Sequence, residues 1–186
     1  DEPFSALDSY LKWQVGLELQ KVLETCRKPV LFVSHSRDEV YEFCDRIAVL
    51  NDGHLEHVAE KKALFCSPKT LAASKLTGCK NHSRIRRLHA HRVAAEDWGL
   101  ELDTQQVVAE DAVYAGIRAH DVQIAVNQTK AGNVRCFHVR RVLEEPFSIV
   151  LMVQAASGKA MLRVEMEKAV WQQVENKADL YLVLPP

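Results

Sequence analysis

The feature that most limits what this chain can fold into is a change of texture along it. Helix and strand signals alternate as far as Ser67, whereas past Gly78 short strand-like segments separated by polar turns run to the end. Alternation of helix and strand builds a layered α/β unit, and many short strands build a barrel or sandwich. With 186 residues and 47% hydrophobic composition there is material for two small cores, since domains commonly hold about 100–150 residues. The pattern predicts an α/β portion over residues 1–67 followed by an all-β barrel over 68–186.

In the first portion Asp8 or Ser9 is a helix cap, followed by Leu11, Val15, Leu19 and Val22 at helical spacing, an apolar stripe that calls for a sheet to cover. After Lys28-Pro29, residues 30–33 form a continuous apolar run of the kind found in a strand buried on both faces of a parallel sheet. Ser34-His35-Ser36 follows, then a short helix over 37–45 with Val40, Phe43 and Cys44 inward. A strand over 47–50 turns at Asn51-Asp52-Gly53 into a second over 55–58. Two central strands and two helices are too few to cover both faces of a parallel sheet, so this portion is expected to be part of a larger layer. Short helices are predicted over 61–65 and 68–75. Strands are predicted over 84–92, 100–102, 112–118, 122–126, 134–142, 148–153, 161–166 and 180–184.

Charge and composition exclude several classes. Lysine plus arginine number 24 against 25 acidic residues, a net charge of −1, which supplies no general field for nucleic acid or anionic lipid. The basic run over 80–92 on a barrel makes a nucleic-acid-binding module the rival of another class. It has no interleaved Phe, Tyr or Trp on which bases could stack, and it reads as a solvated strand face or subunit contact. Five scattered cysteines without a CxxC pair fit a reducing cytosol. His54 with His57, and His89 with His91, lack acidic or cysteine partners at ligand spacing and read as surface residues. No apolar run approaches the roughly 20 residues a spanning helix needs, and the first residues are unlike a signal peptide, so any service to a membrane is expected from its cytoplasmic side.

The chemistry concentrates in two stretches. The chain opens Asp1-Glu2-Pro3-Phe4-Ser5-Ala6-Leu7-Asp8 and later presents Val33-Ser34-His35-Ser36, Glu39, Asp45-Arg46 and Val49-Leu50. Together these resemble the second half of an ABC-transporter ATPase, in which DEPxSALD joins the Walker B strand to the D-loop and VSH carries the switch histidine. The resemblance implies that Asp1 would hold Mg²⁺ through its water shell, Glu2 would polarise the attacking water, His35 would hydrogen-bond the γ-phosphate of ATP, and Asp8 would sit at a dimer seam. Phosphoryl transfer to water needs such a set: a metal, a group orienting the water, and a donor near the γ-phosphate. No GxxxxGK[ST] phosphate loop, glutamine loop or LSGGQ-like signature occurs in these residues. The expectation is an ATPase as the full-length subunit and an inactive fragment alone. The family pattern also expects a glycine near Val58-Ala59-Glu60, and none is there.

In the second portion Ala115-Gly116-Ile117-Arg118-Ala119-His120-Asp121-Val122 resembles the GIRPEDV element of the TOBE/MOP-like barrel attached to importer ATPases, with alanine for proline. That resemblance implies an OB-like regulatory barrel. Thr77-Gly78-Cys79-Lys80-Asn81, with Asp97-Trp98-Gly99, is most similar to the molybdate or tungstate importer branch. Thr77, Lys80, Asn81 and Ser83 would be donors for a tetrahedral oxyanion. The open alternatives are an ordinary turn into the barrel, a structural or dimerisation role for it, and sulfate, iron or sugar as cargo. The resemblance further implies a homodimer sandwiching ATP, permease subunits of the inner membrane as partners, a peripheral place at the cytoplasmic membrane face, and no nucleic acid.

Overall fold

A computed structural model describes residues 1–125 and 132–186. They form two compact units, Asp1–Gly78 and Cys79–Pro186.

The first unit is mixed α/β. Helix α1 (Ser9–Thr25) starts where expected, because the Asp8 carboxylate accepts hydrogen bonds from the Tyr10 and Leu11 amides, each 2.9 Å. Helix α2 (Arg37–Phe43) is capped by Ser36. Strands β1 (Arg46–Asn51) and β2 (His54–Glu60) form an antiparallel hairpin. Its two-residue turn puts Asp52 at φ 48° and Gly53 at φ 78°, the left-handed pair that Asp-Gly supplies. Helices α3 (Lys61–Cys66) and α4 (Leu71–Leu76) pack against this hairpin. Ile47, Val49, Leu64 and Ala73 make the small core there, with Val40, Cys44 and Phe65 against it.

Two expectations for this unit are corrected. Residues 30–33 form no strand: Val30 and Leu31 are 57% and 89% exposed. A parallel strand bonds through neighbours on both sides. Among the described residues this run is linked by a backbone bond from the Glu2 amide to the Val33 carbonyl at 2.7 Å, not by a ladder. The stripe on α1 is likewise uncovered, with Leu11, Val15 and Val22 exposed. The residue that α1 buries is Gly16, whose missing Cβ would lie 3.2 Å from the Phe43 ring. Phe43 in turn forms an aromatic cluster with Phe4 and Phe32, ring centroids 5.4–6.1 Å apart, and this cluster anchors the opening turn.

Among the described residues of the second unit, the strands pair antiparallel throughout. One sheet has four strands in the order β5-β4-β3-β6: β3 (Asn81–His89), β4 (Arg92–Ala95), β5 (Leu100–Asp103) and β6 (Tyr114–Ile117). The other is a five-stranded, barrel-like sheet in the order β10-β9-β8-β11-β7. It comprises β7 (Gln123–Ile124), β8 (Val134–Glu144), β9 (Ser148–Gln154), β10 (Leu162–Glu167) and β11 (Asp179–Val183), with a short helix α5 (Lys168–Gln172). Val126, the last residue of the strand expected over 122–126, lies outside the described residues. The strand expected over 84–92 is corrected to a hairpin that turns at Ala90-His91, leaving β4 as a strand of its own. Both sheets contribute to one core, including Trp98, Phe137, Leu151, Leu162 and Leu182.

Two buried asparagines tie the edges of these sheets. Asn81 Nδ2 donates to the Arg163 carbonyl at 2.8 Å while Asn81 Oδ1 accepts from the Arg163 amide at 2.7 Å. Asn133 makes the same double bond to the Asp103 backbone, both 2.8 Å. A side-chain amide has the donor and acceptor of a peptide group, so each asparagine stands in for a neighbouring strand at one position.

Candidate functional site

The opening turn and the loop after residues 30–33 bring together two of the residues singled out by sequence. Glu2 has a left-handed backbone, φ 43°, unusual for a residue with a Cβ and costing about 1–2 kcal/mol. The turn that follows is closed on the Glu2 carbonyl by the Ser5 amide at 3.2 Å and the Ser5 hydroxyl at 3.0 Å. Phe4, 2% exposed, anchors it in the aromatic cluster. The result is a Glu2 Oε1 to His35 Nδ1 hydrogen bond of 2.8 Å. That bond, then the negative charge of Glu2, raises the His35 imidazole above its ordinary 6.5. The His35 side chain is 76% exposed and that of Glu2 is 41% exposed, so both face solvent from one edge.

Beside them is a chain of contacts that sequence reasoning missed. Glu39, in the first turn of α2, is 7% exposed. Lys12 Nζ on α1 donates to its Oε1 at 2.7 Å, and Ser34 Oγ donates to its Oε2 at 2.6 Å. The Ser36 amide donates back to Ser34 Oγ at 3.0 Å. Burial pushes the Glu39 carboxyl up, but the Lys12 and Ser34 hydrogen bonds outweigh it and hold the group below its ordinary value. The sequence marks Glu39 only as one residue of the motif; a carboxylate in a helix's first turn carries no sign of burial.

The remaining expected residues are placed as follows. Asp1 is exposed next to Glu2, a hard oxygen donor of the kind Mg²⁺ prefers, directly or through water. Asp8 is engaged in capping α1. Thr77 belongs to the first unit, where it ends α4 and donates to the Ser74 carbonyl at 3.1 Å. Lys80, Asn81 and Ser83 belong to the second unit: Lys80 is exposed, Asn81 is bound to Arg163, and buried Ser83 donates to the Arg84 carbonyl and accepts from the Asp97 amide. Asp97-Trp98-Gly99 has an architectural part. Asp97 binds the Arg84 guanidinium at 2.9 Å, Trp98 is core, and Gly99 abuts the Ser157 backbone.

The basic run is laced with acids. Arg84, Arg86 and Arg87 pair with Asp97, Glu96 and Glu110, and Arg92 with Glu101 and Asp103. No group of three His, Cys, Asp or Glu side chains suited to a metal gathers among the described residues. The five cysteines are free. No helix among the described residues is long and apolar enough to cross a membrane.

The donor types of Asp1, Glu2 and His35 are compatible with Mg²⁺ and a phosphate group. Asp1 would offer a carboxylate to the metal's water shell, Glu2 a carboxylate to a water, and His35 an exposed imidazole to an anionic oxygen. The bound metal would neutralise phosphate charge.

No protein-family model matches the chain. The relatives it is similar to are ATP-binding subunits of importers. The sulfate/thiosulfate import ATP-binding protein CysA of Burkholderia mallei is 28% identical over 177 residues, covering 92% of this chain and 48% of the relative. The spermidine/putrescine import ATP-binding protein PotA of Mycoplasmopsis synoviae is 30% identical over 132 residues, 70% of this chain and 28% of the relative. The Fe(3+) ions import ATP-binding protein FbpC of Haemophilus influenzae is 36% identical over 78 residues, 42% and 22% respectively. The chain spans about half, or less, of the length of these relatives.

Proposed function

We propose that this chain is part of the ATP-hydrolysing subunit of an ABC importer. In this reading residues 1–67 are the closing part of its nucleotide-binding domain and 68–186 hold a TOBE-like, OB-type barrel whose compact unit begins at Cys79, after α4 has packed on the first unit. The observation that carries the reading is the 2.8 Å contact between Glu2 and His35, the two residues that the motif resemblance designates for hydrolysis, from positions 33 residues apart. The import ATP-binding relatives support it. Asp1 holds Mg²⁺ through water, Glu2 orients the attacking water, His35 donates to the γ-phosphate, and Asp8 lies at the seam of a homodimer. The subunit works at the cytoplasmic membrane face on permease subunits, and the acid-paired arginines of β3 and β4 leave little positive field for nucleic acid.

The cargo we propose is a tetrahedral oxyanion. Sulfate is favoured by the relative that matches over 92% of the chain, and molybdate or tungstate by the Thr77 to Asn81 stretch. Because Asn81 and Ser83 are engaged within the fold, the barrel is better suited to a structural or dimerisation role than to holding that anion itself.

The test is ATP hydrolysis by a subunit in which this chain follows a segment bearing a phosphate loop. Glu2→Gln and His35→Ala are each expected to lower kcat by about 100-fold or more while ATP still binds. Mg-dependent turnover indifferent to both substitutions would refute the reading. Uptake of labelled sulfate and molybdate by cells carrying the transporter separates the two cargoes.

A further inference from the structure

We infer that Lys12, Glu39 and Ser34 are positioning residues for His35, a brace fixing the angle at which its imidazole reaches Glu2. This rests on the hydrolytic reading of Glu2 and His35 and adds to it residues that act through the backbone carrying His35.

A carboxylate with 7% exposure is costly to bury unless both oxygens are bonded. Glu39 meets that condition with one partner from each side, Lys12 on α1 and Ser34 in the loop carrying His35. The Ser34 hydroxyl donates to Glu39 and accepts from the Ser36 amide, so the residues flanking His35 are tied to each other and to one buried anion. The Glu39 amide meets Ser36 Oγ at 3.5 Å, which ties the start of α2 to the same loop. On the other side the Lys12 amide bonds the Asp8 carbonyl at 2.9 Å. The brace therefore runs from the opening turn, through the first turn of α1, to the loop of His35.

The His35 side chain itself is 76% exposed and is hydrogen-bonded to Glu2. An imidazole so exposed is not aimed by packing. Its direction depends on the backbone beneath it, and that backbone is what Ser34 and Ser36 hold. Misplacing a catalytic group by about 1 Å can cost on the order of 100-fold in rate.

The brace is tested first without nucleotide, by carbon-proton NMR of the His35 imidazole in the full chain. Ser34→Ala and Lys12→Met are expected to move the His35 resonances toward those of Glu2→Gln, the latter against the direct effect of losing the Lys12 charge, which by itself raises the His35 pKa. Lys12→Arg is expected to restore them, and Lys21→Met, which removes an exposed pair on the same helix, to leave them in place. Circular dichroism establishes that each variant is folded. Unchanged His35 resonances in folded Ser34→Ala and Lys12→Met would overturn the brace and leave the ATPase reading standing. In a subunit with a phosphate loop, Lys12→Met should lower kcat about 10- to 100-fold with KM for ATP unchanged. A rise in KM with kcat unchanged would count against positioning. If the resonances move but the subunit carrying the unsubstituted chain hydrolyses no ATP, the hydrolytic reading fails and the contact geometry survives.

Discussion

Replacing Glu2 by Gln removes the carboxylate hydrogen bond, and with it the charge, that hold the His35 imidazole above its ordinary range, so the His35 pKa is expected to fall toward 6.5, measurable by NMR titration. A histidine with a raised folded pKa contributes stability that is fully present below the unfolded value, about 6.5, and is lost as pH rises through the folded value. In the wild-type chain the contact should therefore favour folding below about pH 6.5 and weaken as the pH rises past that value, and an unchanged His35 titration in Glu2→Gln would contradict it. Asn81 separates binding from architecture at the same scale. Asn81→Ala leaves the Arg163 amide and carbonyl without partners and should cost about 1–3 kcal/mol in thermal or urea unfolding, whereas Lys80→Ala at an exposed position should stay within about 0.5 kcal/mol. Single residues of this kind were the hardest to read from sequence. Glu2 and His35 were legible because a motif names both, but a polar residue beside a strand looks the same whether it faces a ligand or a backbone. Asn81, Ser83 and Glu39 reveal their partners only once residues far apart in the chain are brought together.

Elements were read well wherever the signal is local. The cap at Asp8, the Asp52-Gly53 turn and the apolar periodicity of α1 each act within a few residues, and the corresponding elements formed. The misses share the opposite property. Residues 30–33 have the composition of a buried strand, yet a strand exists only through its neighbours, and among the described residues none pairs with it. The run over 84–92 turns at Ala90-His91 without a glycine, proline or asparagine to mark the turn. At Gly99 the demand is specific: with φ 64° its Cβ would lie 2.4 Å from the Ser157 carbonyl oxygen, while Ser157 Oγ donates to the Gly99 carbonyl at 2.7 Å. Gly99→Ala combines left-handed strain with a backbone clash and should destabilise the second unit by about 2 kcal/mol or more in chemical unfolding. Gly53→Ala has the same positive φ but open space around it, and should cost less, about 1 kcal/mol. Equal losses at the two glycines would show that conformation alone, and not the close approach to Ser157, governs Gly99.

At the scale of the whole chain the two units differ in how completely each covers its own apolar surface. The second unit buries a continuous core of side chains from both of its sheets, with Phe137, Leu151, Leu162 and Leu182 at 0% exposure. The first has four residues in its buried cluster and leaves Trp13, Val22, Val30 and Leu31 between 57% and 89% exposed. A unit with its own core should fold alone, so residues 79–186 are expected to unfold in one cooperative transition by circular dichroism and fluorescence. The exposed side chains of α1 and of residues 30–33 lie close in sequence, and burial of apolar surface is favourable by about 25 cal/mol per Å². Contact between two such surfaces on different molecules therefore releases free energy that the second unit has already gained internally. The expected outcome is concentration-dependent association of the full chain, and none for residues 79–186, by light scattering over a range of concentrations. Paired substitutions Trp13→Glu and Leu31→Glu should suppress it, since each places a charge on the surface that would be buried. A full chain that stays monomeric at high concentration, or association that survives both substitutions, would mean that these side chains are not the adhesive surface.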